Sequence, residues 1–421
     1  MSLSNFTYLL FYLLIFSFGF MMPSLAVGGF ALTVSDFLFP FVFAVWFLAV
    51  ILKKIEFRFS RIYLPFIFFL AAMLVSAIFS QNKQTSFAKL LGIIYLVSIA
   101  ILVFNLVRDE KTAKKTILVW LAATFIVCLF SLISLILFYT MRSNLLLFYT
   151  LSHFGSIPPG NFPRIQATFQ HPNMLCNYLN VGLIFSLIAF YFGWIKTNFL
   201  VIFWTIFAAA SFFTFSPGFG GILLSFGIWL WLYFNQKNQI LRSRLSFGFG
   251  ILAALFFFGL LLIELNPFSN PQNCLTFSFL KSPICLSNRI FIWELAIETF
   301  LKYPIFGQGI GLNVVNFSPV LASGKTHFLG DAHQMWLNLA GQAGIFGLVA
   351  ICGLCYFLVR LTLPFNFEKS ATTIFRVSFG IAFIGAFLYQ GLGGSFEDSR
   401  HLWALVGLII SSDSFLQTSK N

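Results

Sequence analysis

Charge is what this chain has least of. Only 9% of its 421 residues are Asp, Glu, Lys or Arg, against roughly a quarter in a soluble globular protein, and that excludes an ordinary water-soluble domain. Acidic groups are the scarcest, 12 against 25 basic ones. The opening stretch MSLSNFTYLLFYLLIF contains no Lys or Arg. It therefore lacks the basic region of a cleaved secretory signal and reads as a retained first span. No Gly-rich P-loop or other nucleotide motif occurs, so nothing indicates energy drawn from ATP. Internal repeats and a soluble domain are missing as well. There are six cysteines. Cys352 and Cys355 form a C-x-x-C in the middle of an apolar run with no basic or His neighbour, which reads as packing and not as redox or zinc chemistry. Cys274 and Cys285 lie in a long connection, where an oxidising compartment would allow a disulfide.

What the chain has in abundance is apolar sequence, 59% of residues. With a span taken as about 20 mostly apolar residues, candidates centre near residues 14, 43, 71, 97, 128, 184, 206, 226, 256, 347, 383 and 407. The expectation is an all-α polytopic membrane protein of about twelve transmembrane helices. Residues 1–140 supply the first five, and 141–421 the rest. If the N-terminus is cytoplasmic, the alternate loops KKIEFRFSR (53–61), RDEKTAKK (108–115), Lys196, KNQILRSR (237–244), Arg360 with Lys369 and Arg376, and Lys420 hold sixteen of the 25 basic residues. That asymmetry is the positive-inside bias. The two longest connections, about 141–172 and 266–333, then fall outside the membrane's cytoplasmic face. A formal charge of +13 does not indicate nucleic acid, because the basic clusters are these short inner loops, which face anionic membrane lipid.

Within the second long loop, NRIFIWELAIETFLK (288–302) spaces its apolar residues as an amphipathic helix with Glu294 and Glu298 between them. PIFGQGIGLNVVNF (304–317) follows, with Pro and three alternating glycines, the mark of a tight turn or a close backbone approach. Polar residues gather at the ends of spans on the same side. PRIQATFQHPNMLCNYL (163–179) places Arg164 ahead of His171, with Pro172 at a helix start and Asn173 as a candidate cap. Arg289 opens the amphipathic helix, Asp331 and His333 close the loop, and GGSFEDSRHLW supplies Glu397, Asp398, Arg400 and His401. Each alone reads most simply as a loop or cap residue. Together they suggest an anionic ligand in a water-accessible cavity, since charge is costly beside hydrocarbon. Arginine's planar fork suits a phosphate or diphosphate. A histidine neutral at working pH can accept a hydroxyl proton, and Asp331 could orient His333, raise its basicity, or be a plain loop carboxylate.

The ordered set RIQATFQHPN, NRIFIWELAIETFLKYPIFGQGIG, AHQMWLNLAGQAGIFG and FEDSRHLW resembles the bacterial O-antigen ligase and polymerase superfamily over about residues 163–403. The resemblance implies a GT-C-like membrane glycosyltransferase that needs no metal or other cofactor, multi-pass in the bacterial plasma (inner) membrane with its site on the extracytoplasmic face. Its partners would be an undecaprenyl-diphosphate-linked glycan donor and a glycan, lipid or protein acceptor. By motif position, Arg289 and Arg164 would hold the donor diphosphate and His333 would act on the acceptor hydroxyl, with Asp331, His171 and Arg400 in support. Two positions depart from the family pattern. Ser216-Pro217-Gly218 stands where Ser-Arg-Gly is frequent, which removes one expected arginine, and Gln334 follows His333 where Asn is common. A transporter or flippase, which would show midplane charges, repeats or broken helices, and a non-catalytic assembly protein are the competing readings.

Overall fold

The computed structural model describes residues 2–27, 30–141, 145–152, 164–216, 218–233, 244, 247–255, 258–259, 274–277, 282–285, 289–318, 328–362, 370–393 and 399–418. Its main elements are α-helices: α1 (Leu3–Ser17), α2 (Val34–Ile51), α3 (Tyr63–Ile78), α4 (Lys83–Leu106), α5 (Glu110–Thr140), α6 (Leu145–Thr150), α7 (Pro172–Tyr191), α8 (Thr197–Phe212), α9 (Gly218–Tyr233), α10 (Arg289–Lys302), α11 (Met335–Thr362), α12 (Ala371–Gly393) and α13 (Arg400–Thr418). Residues 247–255 are helical too. Among the described residues, strand is confined to three two-stranded antiparallel ribbons: β1–β2 (Leu25–Val27, Phe30–Leu32), β3–β4 (Leu151–Ser152, Arg164–Ile165) and β5–β6 (Cys274–Phe277, Ser282–Cys285).

Among the described residues, α2, α4, α5, α7 and α11 are long and apolar enough to cross a membrane, and six shorter apolar helices accompany them. The expected twelve span centres fall within these helices, except that near 256, which adjoins the helical residues 247–255. The chain is a multi-pass membrane protein. α7 is its axial helix: every residue from Leu175 to Ala189 is buried, whereas exposed Leu, Ile and Phe side chains line α2 and α3, as lipid-facing helices require. A continuous apolar core joins residues from α1 through α13.

Small residues set how closely these helices approach. At Gly221 of α9 an added Cβ would lie 2.2 Å from the Gly385 carbonyl oxygen of α12, the backbone proximity that small residues permit between membrane helices. A buried ion pair fastens α13. Arg400 Nε and Nη2 donate to the two carboxylate oxygens of Asp36 at 2.6 and 2.7 Å, and Tyr95 Oη donates to Asp36 at 2.7 Å. Asp36 is thus in the first turn of α2 and not well inside that span.

At the opposite helix ends, the basic loop 53–61 behaves less simply than a lipid-facing cluster. Arg58 turns inward and donates to the carbonyls of Phe104 (3.0 Å) and Arg108 (3.2 Å), closing the C-terminus of α4. Burial and the neighbouring Arg108 lower its pKa to about 10. Lys53, Lys54 and Arg61 remain exposed.

The glycine run after α10 explains a break in α11. At Gly344 the backbone leaves helical geometry (φ 62°, ψ −158°), which frees carbonyls before the break and amides after it. The 304–309 segment supplies the missing partners. Gln308 and Gly309 amides donate to the carbonyls of Gly341 and Gln342 at 3.0 Å each, while Ile345 and Phe346 amides donate to Pro304 and Ile305 at 2.9 and 3.3 Å. Gln342 adds its side chain, accepting from the Gly311 amide and donating to the Leu312 carbonyl, both at 3.1 Å. This is the close backbone approach that the alternating glycines announced.

Gly307 (φ +70°) has no room for a side chain, since a Cβ would lie 2.2 Å from the Gln342 carbonyl. Gly307→Ala is therefore expected to cost about 3 kcal/mol or more, read as a lowered melting temperature in detergent. Gly353→Ala in the same helix, where a Cβ meets nothing within 4 Å, should be neutral or stabilising by up to about 1 kcal/mol.

Candidate functional site

α10 and the segments around it form a small second core. Ile292 and Ala296 pack with Val314, Val315 and Ala332, flanked by Leu295, Phe317, Leu329 and Leu337. Glu294 and Glu298 face away, exposed, as the amphipathic pattern required. Trp293 Nε1 donates to the Ala332 carbonyl at 3.2 Å, which fixes α10 against the residue just before His333. Arg289 is the first residue of α10, four before Trp293. β5 and β6 precede this unit, and their register sets Cys274 opposite Cys285, a Cα separation of about 4.5–5.5 Å in any antiparallel ribbon and within the reach of a disulfide.

His333 sits in a built turn. It is exposed and adopts φ 49°, a conformation uncommon for a residue other than Gly. Asp331 Oδ1 accepts from the His333 amide at 2.6 Å and also from the Asn338 side chain. Asn338 Oδ1 accepts from the Ala332 amide at 2.8 Å, and Gln334 Oε1 caps the Leu337 amide at 2.6 Å. Asp331 therefore fixes the histidine through its backbone. Gln334 caps the helix that follows.

Arg164 approaches from the first long connection. It is 4% exposed, held where β4 pairs with β3 and where the Ile165 amide donates to the Phe213 carbonyl at 2.9 Å. Its Nε donates to the Thr214 carbonyl and its Nη2 to Asn173 Oδ1, both at 2.8 Å. Both acceptors are neutral. Arg400 differs: its charge is met by Asp36, so an anion would reach it only by displacing a carboxylate. Glu397, Asp398 and Pro217 lie outside the described residues.

His171, and not Asn173, caps α7. Its Nδ1 accepts from the Asn173 amide at 3.2 Å, and Pro172 occupies the first helical turn. Its pKa falls to about 4, through burial first and then through the positive charges of Arg164 and His333. His171, at the end of the first long connection, thus lies within electrostatic reach of Arg164 and of His333 from the second. The N-terminus of the axial helix lies at the same place, and the positive end of its dipole favours negative charge.

The sign of the pH effect follows from the lowered value. Between pH 6.5 and about 4 the unfolded chain takes up a proton at His171 that the native protein refuses, so this group removes stability as pH falls through that window. The protein's melting temperature should drop between pH 7 and pH 5, and His171→Ser, which still caps the helix, should drop less. Equal slopes would put the imidazole in water.

Sequence reasoning passed over a stripe on α7. Asn173, Asn177 and Asn180 recur at i, i+4 and i+7, one helix face. Asn177 donates to the Ala386 carbonyl at 3.0 Å and accepts from His401 Nε2 at 2.9 Å, while Asn180 donates to the Ala382 carbonyl at 3.3 Å. The spacing was visible in the sequence, but the partners on α12 and α13 were not. Interhelical amide bonds of this kind hold membrane helices together. Among the described residues, no three His, Cys, Asp or Glu side chains gather as a metal-holding group.

A multi-pass helical membrane protein with a basic, histidine-bearing site at one end of its axial helix is the class that fold and site define. Residues 206–352, about a third of the chain, match the family model described as O-antigen ligase. That region, which contains Thr214, Arg289, Asp331 and His333, is similar to the O-antigen ligase family. No curated protein and no solved structure matches the chain.

Proposed function

We propose that this protein transfers a glycan from an undecaprenyl-diphosphate-linked donor to an acceptor hydroxyl during cell-surface polysaccharide assembly. The transfer would take place at the extracytoplasmic face of the bacterial plasma membrane, in a bundle of about twelve spans with GT-C-like architecture. The observation that carries the reading is the pairing of Arg164 and His171 through Asn173 at the N-terminus of α7, with His333 in electrostatic reach of His171 and its turn inside the family-matched region. Arg164 and Arg289 serve the diphosphate, whose negative charge grows as the glycosidic bond to phosphate breaks. His333 takes the acceptor's proton. No metal enters this scheme. The broken α11 does not favour a transporter, because its freed backbone groups are satisfied by the 304–309 segment and do not line a cavity.

The test is reconstitution of the full chain in lipid nanodiscs with an undecaprenyl-diphosphate-linked glycan and candidate acceptors, following release of undecaprenyl diphosphate. Release that depends on acceptor supports the reading; transport of the intact donor without cleavage would overturn it. The face is checked separately by cysteine labelling at the exposed Glu298 in intact cells. A Glu298→Cys protein labelled only after permeabilisation would reject the topology.

A further inference from the structure

The motif His171-Pro172-Asn173 has a second function beyond starting a helix. Asn173 joins the two long-loop residues that flank it: its Oδ1 accepts from Arg164 Nη2 at 2.8 Å, and its backbone amide donates to His171 Nδ1 at 3.2 Å. We propose that Asn173 is a positioning residue of the anion site, aiming the Arg164 guanidinium with its side chain and fixing the His171 proton on Nε2 with its amide. This rests on the diphosphate reading given above.

The chemistry follows from the two bonds. A ring nitrogen that accepts a hydrogen bond carries no proton, so in neutral His171 the proton resides on Nε2. Serine, threonine and aspartate cap helices equally well or better but offer no such oriented ring donor. The groups facing His171 are Arg164 from β4 and His333 from the turn before α11, both of which oppose its protonation. His171 is thus a donor that adds no charge, beside an arginine that supplies it. On Arg164 the effect is geometric. A side-chain amide takes one donor of the five on the guanidinium and leaves the charge whole, which aspartate at the same position would not.

The experiment uses the full-length protein in nanodiscs and undecaprenyl diphosphate as the probe, in a double-mutant cycle. Asn173→Ala is expected to weaken binding about tenfold and Arg164→Ala about a hundredfold, the range for hydrogen bonds to charged groups. Because Asn173 acts through Arg164, the double variant should be no worse than Arg164→Ala alone. Asn173→Asp should weaken binding as well, by neutralising the guanidinium that it still orients. Losses that multiply in the double variant, or an Asn173→Ala protein that binds as wild type does, would overturn the proposal while leaving the diphosphate reading in place. A wild-type protein that does not bind the probe would overturn both. Imidazole 15N spectra, assigned by difference with His171→Ser, should show the Nε2–H form at pH 6, shifting when the probe is added. An imidazolium at that pH would overturn the tautomer assignment.

Discussion

His333→Ala is expected to abolish glycan transfer while leaving the protein inserted and able to bind its donor. Loss of a general base typically costs about 10²–10⁴ in rate, or roughly 2.7–5.5 kcal/mol of barrier, and removes no diphosphate contact. The turn makes a sharper control available. His333 has φ 49°, a conformation that asparagine tolerates better than most residues, and its amide is held by Asp331. His333→Asn should therefore keep the backbone and remove the imidazole. If both variants lose turnover with unchanged melting temperature, the ring is responsible; if His333→Asn turns over at a near-native rate, His333 serves only to shape the loop. Asp331→Ala should lower turnover without changing the pH dependence, because the carboxylate acts on the histidine's amide.

The parts of this fold that could be read from the sequence are those that depend on local periodicity. Apolar runs located the apolar helices, the i, i+4 pattern of 288–302 located α10, and the alternating glycines marked a backbone contact. The partner in that contact could not be inferred, because Gly307 and Gly344 meet across more than thirty residues and only the folded chain shows that one mends the break made by the other. The same limit governs the site. Motif order singled out Arg164, Arg289 and His333, and it gave Arg400 the same supporting standing as His171 and Asp331. The folded chain shows what the sequence could not: Arg400 is matched to Asp36 from the other end of the chain, and Arg164 bonds the Thr214 carbonyl and the Asn173 side chain. Asn173 was read as a possible cap because Asn commonly caps. A histidine took that position, and the asparagine became the link between an arginine and a ring.

The second large effect concerns the two arginines proposed for the donor diphosphate, in a chain with Ser216-Pro217-Gly218 where the family it resembles frequently has Ser-Arg-Gly. Arg289→Lys keeps the charge but loses the bidentate fork, so it should be much less active than wild type, and Arg289→Ala less active still. Losses above about 100-fold would correspond to roughly 2.7 kcal/mol of transition-state stabilisation. Arg164 gives the more revealing comparison. Its guanidinium is bonded to the Thr214 carbonyl, three residues before Pro217 in the sequence. A guanidinium placed there should therefore act on the same oxygens. Pro217→Arg is expected to recover part of the activity lost in Arg164→Ala and to add little to the wild type, since one diphosphate has few oxygens left to bind. Rates for the four proteins decide the matter. Partial rescue assigns both positions to one site, rescue equal in both backgrounds makes Pro217→Arg an independent charge effect, and a harmless Arg164→Ala reduces Arg164 to a strut between β4 and the α8–α9 connection.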